Sequence, residues 1–117
     1  MTAVLIIVAG LLGLAATGSA FAKFTKKEDV IKSVTHVGVK NEYIPLLAIL
    51  EVLGALGLLA GIHSKPLGVA AATGLALYFL GAVAAHLRVK DKVKDFAPAL
   101  VLFLVAVGTV LLELGRN

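Results

Sequence analysis

Residues 67–87 read LGVAAATGLALYFLGAVAAHL, twenty-one positions without Asp, Glu, Lys or Arg. Residues 88–95 follow as RVKDKVKD, with six charged side chains in eight positions. At 1.5 Å of rise per residue, about 20 helical residues cross a ~30 Å hydrocarbon layer. The first stretch therefore has the length of a membrane-spanning helix, and the second is too charged to lie in lipid. The same alternation recurs outward in both directions. Thr2 to Ala22 carries no charge, and Pro45 to Ile62 carries only Glu51. Phe96 to Leu114 carries only Glu113, at its far end. Spans are expected at about 3–22, 45–62, 67–87 and 96–114. Gly61 and Pro66 mark a tight turn between the second and third. The expected fold is all-α: an integral membrane four-helix bundle forming one domain over 1–117.

Composition agrees with this class. The chain has 117 residues, 60% hydrophobic and 15% charged, and a mean hydropathy of +1.02. Soluble domains run nearer ~45–50% apolar and ~25% charged, and a chain this short leaves much of its surface in water. The absence of Cys excludes a disulfide framework, a thiolate metal site and a cysteine nucleophile. Three His without Cys argue against a structural zinc site, and no metal is expected.

The net charge of +4 reads as orientation and not as nucleic-acid binding. Lys23, Lys26, Lys27, Lys32 and Lys40 fall in the first loop, and Arg88, Lys90, Lys92 and Lys94 in the third. The opposite side holds Lys65 and Arg116. The expected arrangement is a multi-pass plasma-membrane protein with both basic loops cytoplasmic and both termini outside. Ala20-Phe21-Ala22 resembles a signal-peptidase site, but a basic n-region is missing, so the first span is read as retained.

The first loop carries its own pattern. Thr25 and Glu28 fit a capping box, Val30, Val34 and Val37 recur on one helical face, and Gly38 suits a C-cap. A short amphipathic helix is expected over 26–37, on the cytoplasmic surface between spans one and two. Its ordinary role is to pack on the bundle and neutralise anionic headgroups; docking or regulation is the alternative.

Glu51 is the most informative single residue. Acids inside membrane spans usually face a bundle interior or a cavity. His86 ends the third span on the same side, and helical rise brings it within reach of Glu51 across antiparallel helices. A carboxylate–imidazole pair handles protons, so Glu51 and His86 are the candidate catalytic residues. Tyr78 lies two turns before His86 and needs a hydrogen-bond partner. Gly54, Gly57 and Ala82 belong to small faces that either pack helices closely or leave room for a flat ligand beside Glu51. With Tyr78 they are the candidate ligand-binding set. For each residue a purely structural role is the competing reading. His36 and His63 fall in loops and receive no assignment.

Taken in order, these residues resemble the DoxX-like membrane proteins. The resemblance covers nearly the whole chain. It rests on Lys23-Phe24 closing span one, Tyr43-Ile44-Pro45, the run LEVLGALGLL at 50–59, Lys65-Pro66, the run GAVAAHLR at 81–88, and Ala97-Pro98-Ala99. Some relatives of that kind are subunits of a membrane thiosulfate:quinone oxidoreductase, and others accompany redox-defence complexes. The resemblance implies a polar intramembrane site at Glu51 and His86. The resemblance leaves the cofactor open, with a quinone-like ligand at that site or a redox partner subunit anchored at the cytoplasmic face as the two ways electrons could be carried. Fold and family do not by themselves fix chemistry. The expected function is a subunit or membrane anchor of a quinone-linked oxidoreductase. The partners expected are the bilayer, further copies of the chain and a redox subunit, with no nucleic acid. A non-enzymatic accessory or assembly factor is the alternative, and a small-solute or proton transporter comes third, since four spans alone make a poor pore.

Overall fold

The structure is a computed structural model that describes residues 3–25 and 28–116. The described residues form helices: α1 (Ala3–Phe24), α2 (Glu28–His36), a 3-10 turn (Asn41–Tyr43), α3 (Ile44–Ala60), α4 (Lys65–Arg88) and α5 (Val93–Leu114). The expected capping box includes Lys26 and Lys27, which lie outside the described residues. The Thr25 hydroxyl instead donates back to Phe21 O, at 3.0 Å.

Four helices close a bundle in which α1 packs on α3, α3 on α4, α4 on α5 and α5 back on α1. Small residues let them approach. A Cβ on Gly61 would meet the Gly68 backbone at 2.5 Å, and one on Gly57 would meet Ala71 Cβ at 2.8 Å. The core is a column of Leu12, Ala16, Leu58, Ala72, Leu75, Ala76, Phe79 and Ala106. Large apolar side chains such as Leu14, Leu53, Leu77 and Leu111 point outward on every long helix. That inversion suits lipid as the solvent. The molecule is 42 Å long, against about 40–45 Å for a bilayer with its headgroup regions. By length and composition α1, α4 and α5 can each cross a membrane. The seventeen residues of α3 make a shorter apolar helix of about 25 Å.

The ends follow local chemistry. Pro45 and Pro66 occupy the first turns of α3 and α4, where a missing N–H costs nothing. The charged stretch before residue 96 is not all loop. Asp95 accepts the Lys92 backbone N–H at 3.2 Å, and α5 starts at Val93, earlier than the hydropathy break implies. Gly38, at φ +97°, closes α2 with a Schellman pair: Gly38 N–H to Thr35 O and Val39 N–H to Val34 O.

Candidate functional site: a buried ion pair beside a cavity

Lys23 stands in the last turn of α1 and Glu51 two turns into α3. The Lys23 ammonium donates to Glu51 Oε1 at 2.6 Å and to Ser19 Oγ, one turn back, at 2.7 Å. Glu51 is completely buried and Lys23 is 7% exposed. An unpaired charge there would be strongly unfavourable, so each group compensates the other's desolvation. Glu51 Oε2 has no hydrogen-bond partner among the described residues. The Tyr78 phenol is near enough to interact with this carboxylate. Lys23 therefore belongs to the bundle interior and not to the loop where its charge alone places it. The missed signal was the opposite charge at matching depth on the antiparallel neighbour.

His86 does not bond Glu51. Its Nδ1 is 2.7 Å from Oδ2 of Asp91, in the turn between α4 and α5. The other oxygen, Oδ1, is 2.8 Å from Nε2 of His36, at the end of α2. The His86 hydrogen bond, with a smaller contribution from His36, holds the Asp91 carboxyl below the usual carboxylate range. Arg88 donates to Val37 O at 2.9 Å, in the space a Gly38 side chain would fill. Sequence reading missed Asp91 because it lies in a run of charges that reads as solvated. It passed over His36 because its partner is 55 positions away.

Of these groups Lys23, Tyr78 and His86 border one cavity of about 600 Å³, within the range usual for small-molecule sites. Its walls are apolar: the Val30, Val34 and Val37 stripe of the α2 segment, then Ala82 and Ala85 of α4, and Leu102 of α5. Ser19, Lys23, Tyr78 and His86 supply polar lining, with Asp29, Ser33 and Asp95 also at its border. Glu51 stands behind Lys23 and does not itself line the space. Gly54 and Gly57 turn toward Leu75 and Ala71 of α4, so their small size serves helix packing. Lys23 also borders a second cavity of about 660 Å³, between Glu28, Lys32, Glu42 and the start of α3. Among the described residues no group of three His, Cys, Asp or Glu could hold a metal ion.

The opposite end of the bundle has its own buried pair. Arg116 donates to Glu113 Oε2 at 2.9 Å, to Gly61 O at 2.6 Å and to Ile62 O at 3.0 Å. It ties the end of α5 to the α3–α4 turn, and Glu113 presses against Gly68 where no side chain would fit.

Neither the curated proteins nor the solved structures contain a significant match to the chain. A family comparison does. The sequence profile of the DoxX-like family matches residues 7–109, from the first turns of α1 to the last turns of α5, and so includes both members of the buried pair and every wall of the cavity. With a helical bundle apolar on its outside and that match over most of its length, this membrane protein belongs to the DoxX-like family.

Proposed function

We propose that the chain is the membrane subunit of a quinone-linked oxidoreductase, and that the cavity at its basic end receives the quinone ring. The observation that carries this reading is the combination of a largely apolar space of about 600 Å³ with Lys23, Tyr78 and His86 at its edge. When bound, a quinone supplies a two-electron carrier whose carbonyl oxygens take up protons on reduction. The electrons come from a redox partner subunit at the basic face.

The residues present suit such a ligand. An ammonium carries three protons, and Glu51 and Ser19 engage two of those on Lys23, leaving one donor for a carbonyl oxygen. Tyr78 offers a hydroxyl. His86, held through Nδ1, keeps Nε2 as the ring position for a proton. Glu51 balances the Lys23 charge from behind. The basic loops supply the orientation: α2 and the α4–α5 turn cytoplasmic, both termini outside, in the plasma membrane. Lys23 and Arg116 are both taken up in buried pairs, one on each side, which leaves the bias intact.

Decylubiquinone titrated into the protein in nanodiscs, followed by calorimetry, tests the reading. Saturable binding is expected, weakened several-fold by Tyr78→Phe, which removes one donor to a carbonyl oxygen. His86→Gln should weaken binding of the reduced quinol, whose hydroxyl donates to the Nε2 lone pair. Unsaturable partitioning, equal in all three proteins, overturns it.

One observation favours the non-enzymatic accessory reading. The Lys23–Glu51 pair is closed and joins α1 to α3, as a purely structural staple would. Under that reading Tyr78→Phe and His86→Gln leave every ligand titration unchanged, while loss of either member of the pair weakens the fold or partner binding.

A further inference from the structure

Asp91 belongs to no span and lies outside the apolar cavity, yet its two oxygens reach two different helices. We propose that Asp91 is the positioning residue of this site: Oδ2 fixes the His86 ring while Oδ1 clasps α2 over the cavity as a lid. The inference rests on the cavity being a ligand site.

The first half follows from proton inventory. An ionised carboxylate only accepts hydrogen bonds, so the ring nitrogens facing it carry the protons. These are Nδ1 of His86 and Nε2 of His36. A neutral His86 is thereby held in the Nδ1–H tautomer, with its lone pair at Nε2. That nitrogen makes no hydrogen bond to the described residues. His86 is itself among the residues lining the cavity. An orienting carboxylate behind an imidazole is a general way of fixing which nitrogen does proton work.

The second half follows from how little else holds α2. Its own polar bonds, Glu28 to Lys32 and Thr35 to Ile31, stay within the helix. Its packing on the bundle is slight, and no residue between Glu28 and His36 is fully buried. Its apolar stripe looks onto the cavity rather than into a filled core. Among the described residues, two polar links fasten the α2 segment to the rest: His36 to Asp91, and Arg88 to Val37 O. Both run to the end of α4, beside His86. When α2 is down, its stripe walls one side of the cavity and the group that orients His86 is held from both sides. When α2 lifts, one of those holds is lost. Closure and preorganisation are thus one event, as in other lidded sites.

The chain contains no Cys, so two introduced cysteines label cleanly. Spin labels at Thr35→Cys on α2 and Val93→Cys on α5 report the lid by pulsed electron resonance, in nanodiscs and without ligand. A single narrow distance is expected in the parent. A longer and broader distribution is expected with His36→Ala and with Asp91→Ala. The second readout is the His86 ring 15N shifts. They should show one tautomer in the parent and in His36→Ala, and a mixture in Asp91→Ala, which a merely structural residue would not produce. His36 is 60% exposed, so its replacement leaves the fold in place if Asp91→Ala does not. An unchanged distance in His36→Ala overturns the clasp, and an unchanged His86 tautomer in folded Asp91→Ala overturns the positioning. Neither readout involves quinone. A lid that opens as expected in a protein that fails to bind decylubiquinone separates the two readings.

Discussion

The ammonium of Lys23 and the carboxylate of Glu51 meet at 2.6 Å inside the bundle, joining the last turn of α1 to the second turn of α3. Breaking such a pair from one side leaves a buried charge alone, which costs about 3–5 kcal/mol. Lys23→Met and Glu51→Gln should each lower stability by roughly that amount. Lys23→Met with Glu51→Leu should recover most of it, because two apolar groups need no compensation. Thermal unfolding of the four proteins in one detergent checks this. A double variant whose loss equals the sum of the two single losses would show that the two groups act independently and not as a pair.

The glycines separate into two classes that a methyl group can distinguish. Gly74 faces open space, and alanine there removes backbone freedom from the unfolded chain. Gly74→Ala should be neutral or stabilising, by up to about 1 kcal/mol. Gly61 faces the Gly68 backbone, which is not a flexible side-chain tip and cannot swing aside. Gly61→Ala should destabilise by about 1–3 kcal/mol, the usual penalty for overpacking. Melting temperatures in the same lipid or detergent give the order; a reversed order refutes the close approach of α3 and α4.

Much of this was readable from residues alone, for physical reasons that differ by position. Runs of 20 apolar residues have one stable arrangement in lipid, so the long helices followed from hydropathy. Glu51 stood out because a lone acid in such a run needs an interior. Its partner did not stand out, because a lysine closing a span reads equally well as one reaching for headgroups. Gly54 and Gly57 read as a small face, but which neighbour a helix face meets depends on rotation about its axis, and that is set by packing. His36 and Asp91 meet only after α2 folds back over α4, a tertiary event with no local signature.

Arg116 places its guanidinium on two backbone carbonyls and one carboxylate at once. A planar fork can do this, and an ammonium cannot reproduce it. Arg116→Lys should therefore keep the charge near Glu113 yet loosen the α3–α4 turn. Amide exchange at Ile62 to Ser64 should speed up several-fold in Arg116→Lys, while the amides in the middle of α4 keep their protection. Unchanged exchange at the turn would mean that Gly61 and Pro66 alone hold it.

Acid should act on the clasp through Asp91, which lies outside the membrane-spanning segments. The groups bearing on its carboxyl are His86 from α4 and His36 from α2, the first more strongly. Both hold its folded pKa below the unfolded value of about 3.9. The sign follows from linkage: a lowered acid pKa contributes stability that is fully present above the unfolded value and disappears as pH falls through the folded one. The difference in melting temperature between the parent and Asp91→Asn should be flat with respect to this group from pH 7 down to about 5. It should then shrink as the pH is taken below about 4, where the unfolded chain binds the proton before the folded carboxyl does. A difference that grows as the pH falls below about 4 would reverse the sign, and Asp91 would then be strained by its neighbours and not held by them.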